Sequence, residues 1–151
     1  MSKVFNKDTR FSIILPDIWE ELGDNDQAVF SFIKKINPIG ALQISLAKRT
    51  KESIPTESEC ISILENHFEK QGLKPGIRVL PTKFGLMGHA EPVTQNKRFL
   101  ITWLLLSDLR MAFVTYNCPI GQEKQETTEV QQIVDSFEFS KKTTTRFKIF
   151  L

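Results

Sequence analysis

Four side chains in this chain have the types that nucleophilic or metal chemistry needs: Cys60, His67, His89 and Cys118, its only cysteines and histidines. A Cys–His nucleophile needs the imidazole within hydrogen-bond reach of the thiol, so that the base can take the proton. Cys118 with His67 or His89 is a formal pair of that kind, but no nucleophile-turn pattern surrounds Cys118. A metal site needs clustered His, Cys or carboxylate ligands. His67 and His89 fall in different elements, and no spacing motif links either to a cysteine. No Gly-x-Ser-x-Gly, phosphate-binding glycine loop or dinucleotide fingerprint is present. His67 reads as a helix residue at the edge of a core. His89, beside Gly88, is the more open candidate.

Carboxylates gather at Asp17, Glu20, Glu21, Asp24 and Asp26, with Trp19 among them. Paired carboxylates can work as acid and base or hold a cation. The calcium-loop alternation of Asp/Asn with a central Gly is missing here. An exposed Trp rimmed by acids is a contact point for a protein partner. Asp17, Trp19, Glu20, Asp24 and Asp26 are therefore the candidate protein-binding surface. The plainer alternative is a solvated turn whose Trp closes the end of the core.

Charge narrows the partners. The net charge is +2, but Lys141, Lys142, Arg146 and Lys148 alone carry +4, which leaves −2 on residues 1–140. A nucleic-acid-binding body carries its basic face on the fold, so nucleic acid is not the expected partner. The first residues lack the apolar run of a signal peptide, and no apolar run is long enough to span a bilayer. Two cysteines make no disulfide framework. Reduced thiols, a cytoplasmic location and no cofactor are the expectation.

The elements that must position these residues follow from periodicity. Leu100–Leu106 is apolar on both faces, with Leu100, Leu104 and Leu106 opposite Ile101, Trp103 and Leu105. Such a strand lies mid-sheet with a layer packed on each side. It forms a hairpin with Arg110–Asn117 through Ser107-Asp108-Leu109. Phe11–Leu15, Ala28–Lys34 and Ala41–Lys48 read as an antiparallel meander, with Leu42, Ile44 and Leu46 inward. Asp17–Leu22 reads as a turn or one helical turn. Thr56–Gln71 is a helix opened by a Thr56/Glu59 capping box and closed by Gly72. Its stripe is Cys60, Ile61, Leu64, His67 and Phe68. Within 73–97, Ile77–Leu80 and His89–Thr94 could be strands, with Phe84–Gly88 a loop. A second helix spans about Glu123–Ser136, with Val130, Ile133, Val134 and Phe137 inward and Glu123, Glu126 and Glu129 suiting its positive end. Phe137–Phe139 leaves it extended. Residues 1–140 form one domain, and 141–151 a basic tail whose alternating Phe147, Ile149 and Leu151 could add an edge strand. The fold class is α+β: a mostly antiparallel sheet with a helix on each face.

Five stretches carry a family resemblance. They are Phe11-Ser12-Ile13-Ile14-Leu15-Pro16-Asp17-Ile18-Trp19, then Gly40-Ala41-Leu42-Gln43-Ile44-Ser45 with Ile101-Thr102-Trp103, and finally Val114–Cys118 with Val130–Phe137. In this order, over roughly residues 8–140, they resemble small bacterial proteins with a PsbP-like fold. More narrowly, they resemble a family of this length, some of whose relatives look like immunity proteins in toxin gene clusters. The resemblance implies a PsbP-like α/β/α sandwich and no catalytic motif. The first functional expectation is thus a non-enzymatic domain that binds another protein, an immunity-type protein being its sharpest form. The second is a binder of a small or lipid-like ligand between sheet and helix, with Phe84–His89 as lid. The third is an enzyme using His89, Cys118 and a carboxylate.

Overall fold

The computed structural model describes residues 2–7, 10–23, 29–50 and 52–140, with side chains for all of these except five of residues 2–7. Asp24, Asp26 and the tail 141–151 lie outside the described residues.

Seven strands form one antiparallel sheet: β3 (Trp19–Glu21), β4 (Val29–Lys34), β5 (Ala41–Lys48), β6 (Ile77–Pro81), β7 (Leu86–Gln95), β8 (Arg98–Leu106) and β9 (Arg110–Pro119). Their spatial order is β3-β4-β5-β9-β8-β7-β6. β8 is interior, as its two-faced apolar pattern requires. A three-stranded sheet of β1 (Ser2–Lys7), β2 (Phe11–Pro16) and β10 (Glu138–Phe139) packs over one side. Helices α1 (Glu57–Glu69) and α2 (Thr127–Asp135) lie on opposite faces of the large sheet.

The two faces of β8 feed two cores. Leu104 and Leu106 pack under α1 with Cys60, Leu64 and Phe68. Ile101, Trp103 and Leu105 pack on the other side with Phe11, Ile13 and Leu15 of β2 and with Val130, Ile133, Val134 and Phe137. The close approach of α1 depends on Gly88. A Cβ there would sit 2.6 Å from Cys60 Sγ and 2.8 Å from a Leu64 methyl.

Four expectations are corrected. Phe11–Pro16 does not join the meander; only β4 and β5 pair, and β2 pairs with β1 and β10. The Asp17-Ile18 turn redirects the chain so that Trp19–Glu21 becomes the edge strand beside β4. Leu86-Met87-Gly88 are strand, because β7 needs their backbone to pair with both β6 and β8. Pro92, which has no N–H, falls in the register shift between Ala90 and Val93, where a missing donor costs least. Finally, α2 starts at Thr127 instead of Glu123, because Glu126 is buried in tertiary contacts.

Two polar clamps hold the frame. The Glu126 carboxylate is 1% exposed and accepts the N–H groups of Ile39 (3.1 Å) and Gly40 (3.0 Å) and the Tyr116 hydroxyl (2.8 Å). It ties the entry of β5 and strand β9 to the start of α2. Gly40 fits because a Cβ would lie 2.4 Å from the Asn117 carbonyl oxygen. Arg49, beyond the end of β5, donates to Glu59 of α1 at 2.6, 2.7 and 3.1 Å and to the carbonyls of Ser107 and Asp108, both at 2.9 Å. It also donates to the Ser53 carbonyl. The Thr56 hydroxyl caps α1 by accepting the Glu59 N–H, while the Glu59 carboxylate turns to Arg49.

Candidate functional site

The layers do not cover the sheet evenly. On the α2 side, α2 and the small sheet pack over the central strands, while the outer strands β6 and β7 form a ledge. Arg78 and Leu80 of β6 lie opposite His89 and Met87 of β7, which lie opposite Trp103 and Leu105 of β8. Leu80 is exposed and Met87 half-buried. Where the ledge meets the end of α2 there is a cleft of about 760 Å³. Its apolar lining is Ile14, Phe84, Met87, Leu105, Val134 and Phe137, and its polar rim includes Lys83, Asp135, Ser136 and Glu138.

The walls are fixed by packing. The Phe84 ring stands edge-on to Phe137 (6.0 Å) and Phe139 (5.1 Å). The Gly85 N–H donates to the Thr82 hydroxyl at 3.0 Å, which holds the β6–β7 turn. A Cβ at Gly85, whose φ is +153°, would meet the Leu106 carbonyl oxygen at 2.2 Å. The segment Phe84–His89 is therefore a braced wall of the cleft, and the lid expectation is corrected. Sequence reading missed Ile14, Lys83 and Asp135. One signal was available: Ile14 is an apolar residue at the outward position of a strand whose inward positions are Phe11, Ile13 and Leu15, and it is half exposed.

His89 stacks on Trp103, with ring centroids 5.3 Å apart and planes 13° apart, and its Nδ1 is 3.4 Å from an Arg78 nitrogen. Burial pushes its pKa below the usual histidine value, the Arg78 charge adds to this, and Asp135 opposes it. His67 is lowered for the same first reason, with Lys70 adding, and its ring packs against Phe68 and Phe113 as an edge-of-core histidine.

The Cys118–His89 pair is not assembled. His89 lies beside Trp103, while Cys118 lies across from Phe99, four residues further along β8 on its other side. Strand geometry puts the two roughly 16 Å apart. Cys60 and Cys118 are both free thiols at 0% exposure. Burial pushes the Cys60 thiol up to about 11, with Glu59 and Glu57 adding, and raises Cys118 as well. Both thiols should resist a disulfide-exchange reagent at pH 8 until the protein is unfolded; rapid modification of the folded chain would contradict this burial. The Cys60 shift also makes a pH prediction. The folded thiol holds its proton above pH 9 while the unfolded thiol releases it, so stability is full below pH 9 and falls between pH 9 and about 11. A Cys60→Ala variant should show less alkaline loss in urea unfolding than the parent.

The predicted acidic surface is only partly assembled. Asp17 and Glu20 are exposed, and so are their neighbours Ile18 and Leu22. Trp19 is 1% exposed and belongs to the core, so it is corrected from a surface contact to a packing residue. Strand alternation in β3 turns its indole inward and Glu20 outward. Among the described residues no three His, Cys, Asp or Glu side chains converge as a metal site, and no helix is long and apolar enough to cross a membrane.

No family model and no curated protein matches the chain. Solved structures do. The solution structure of the cyanobacterial PsbP protein, CyanoP, from Synechocystis superposes with a TM-score of 0.62 at 8% identity, covering 91% of this chain and 92% of that one. This chain has the PsbP-like fold. Its layers, a mostly antiparallel sheet between two helices, are those of that α+β architecture. A crystal structure of LpqN from Mycobacterium tuberculosis, described as involved in cell envelope biogenesis, superposes at 0.55 with 11% identity over 93% and 91% of the two chains. A Bacteroides thetaiotaomicron protein superposes at 0.59 with 18% identity over 87% of this chain, and the match spans only 45% of that protein's length. At these identities the PsbP-like fold is what is shared, and the fold alone does not carry a function.

Proposed function

We propose that this PsbP-like protein is a non-enzymatic binding module that recognises another protein, and that the cleft between the β6–β7 turn and the end of α2 receives apolar side chains of the partner. The supporting observation is the cleft itself: about 760 Å³, apolar at its base, with charges of both signs at the rim. That anatomy, an apolar centre inside a polar rim, suits a protein contact. An immunity-type role in a reducing cytoplasm is the finer form of this reading, with a toxin as the partner. A small apolar ligand is the second reading, supported by the volume, which lies within the usual range of ligand pockets.

The test is capture from native lysate by the tagged protein, with three surface variants compared. Ile14→Asp and Lys83→Glu change the cleft at two exposed positions. Asp17→Lys combined with Glu20→Lys reverses the acidic turn. The expected result is one stoichiometric protein whose affinity falls about tenfold with Ile14→Asp at unchanged melting temperature. Loss only on reversing the turn would move the contact to that surface. Retention of no protein, with an adduct in native mass spectra, would favour the small ligand.

A further inference from the structure

The cleft borders the place where the described chain ends. Phe137 and Glu138 line it, and the last described residue, Ser140, is fixed by two hydrogen bonds. Its N–H donates to the Arg10 carbonyl (3.0 Å), and its carbonyl accepts from Arg110 (2.5 Å). Eleven residues follow, Lys-Lys-Thr-Thr-Thr-Arg-Phe-Lys-Ile-Phe-Leu. Fully extended they reach about 36 Å, ample to turn back to a cleft lined by a residue two positions before Ser140. Their chemistry matches that site. Phe147, Ile149 and Leu151 alternate with Arg146 and Lys148, and the segment carries +4. The cleft offers apolar walls, and its charged rim residues Asp135 and Glu138 outnumber Lys83.

We propose that residues 146–151 are an occupant of the cleft in cis, so that a partner must displace the chain's own tail. This deepens the binding role proposed for the cleft by adding its regulation. The energetics are undemanding. Covalent attachment through a few residues gives an effective concentration of about a millimolar, so even a weak intrinsic affinity keeps the site filled. A site that is nine-tenths occupied in cis binds a competitor about tenfold more weakly than a vacant one.

The methionine methyl groups report this directly, because Met87 lines the cleft while Met111 packs on the α1 side. The full chain should be compared with its Phe147→Asp/Ile149→Asp variant by methyl NMR. The expected result is a shift of Met87 with Met111 unmoved, and a saturable return of Met87 when a peptide of wild-type sequence 141–151 is added to the variant. Partner affinity should rise about tenfold in the variant. An identical Met87 signal in both chains overturns the proposal. A Met87 shift that grows with protein concentration also overturns it, since the occupant would then be the tail of a second copy. The cleft reading fails separately: Met87 can respond to the tail while Ile14→Asp leaves partner capture unchanged. Conversely, capture that depends on Ile14 with no response of Met87 removes only the tail.

Discussion

Replacing Glu126 by alanine should destabilise the fold by about 3–5 kcal/mol, the largest effect expected of any single polar substitution here. The carboxylate is buried, and its three donors come from two distant parts of the chain: Ile39 and Gly40 before β5, and Tyr116 in β9. Truncation leaves two backbone N–H groups and a phenol without their acceptor, at a position where the native side chain is buried. Each orphaned donor costs on the order of 1–3 kcal/mol, and partial collapse of the site offsets some of the sum. Glu126→Gln should cost less, about 2 kcal/mol, because the amide keeps one acceptor but presents its NH2 to a donor. The Tyr116 hydroxyl is itself held protonated, since burial and the hydrogen bond to Glu126 raise its pKa. A double-mutant cycle in urea isolates the contact. Tyr116→Phe should cost about 1–2 kcal/mol in the parent and much less beside Glu126→Ala. Equal costs in both backgrounds would mean that the 2.8 Å contact carries no coupling.

Arg49→Ala should rank second, at about 3 kcal/mol. Its side chain is 2% exposed and serves three backbone carbonyls besides Glu59. The loss would release the β8–β9 turn, the segment before α1 and the first turn of that helix together. The Glu59 side chain is 31% exposed, so water can take over its charge after the arginine is gone, which keeps the cost below that of Glu126. For the same reason Glu59→Gln should cost only about 1 kcal/mol. Arg49→Lys should recover little, because an ammonium is a point charge and cannot reach a carboxylate and three carbonyls with one planar fork. Urea midpoints at constant m-value measure all three. A mild Arg49→Ala combined with a severe Glu59→Gln would reverse the argument.

Both residues show where sequence reading stops. Glu126 reads as one of three acids at the positive end of α2, but only Glu129 lies in the first turn of that helix, while Glu123 precedes it and accepts the Gly121 N–H. Only Glu126 is turned inward, and its partners are 10, 86 and 87 residues away. Nothing local distinguishes it. Glu59 reads as the partner of Thr56 in a capping box, and the cap does accept the Glu59 N–H, but the carboxylate goes to Arg49, ten residues earlier.

Local pattern determined a good deal by itself. The two-faced β8, the inward Leu42 and Ile44, the α1 stripe through Cys60, Leu64 and Phe68, and the α2 stripe ending at Phe137 all stand as read. These are periodicities of 2 and 3.6 in apolar residues, and burial enforces them within a few residues of chain. From them the α+β class and the helix on each face follow.

Tertiary structure alone decided the rest. It set Phe11–Pro16 in a second sheet, because strand pairing depends on distant partners that alternation does not name. It buried Trp19, made Leu86-Met87-Gly88 strand, and kept His89 and Cys118 apart. It also decided where the layers stop. The cleft exists because α2 and the small sheet pack over the centre of the large sheet and meet its outer strands only at their edge. Its walls come from β2, the β6–β7 turn, β8 and the end of α2, and side chains so far apart in sequence converge only when the layers are packed.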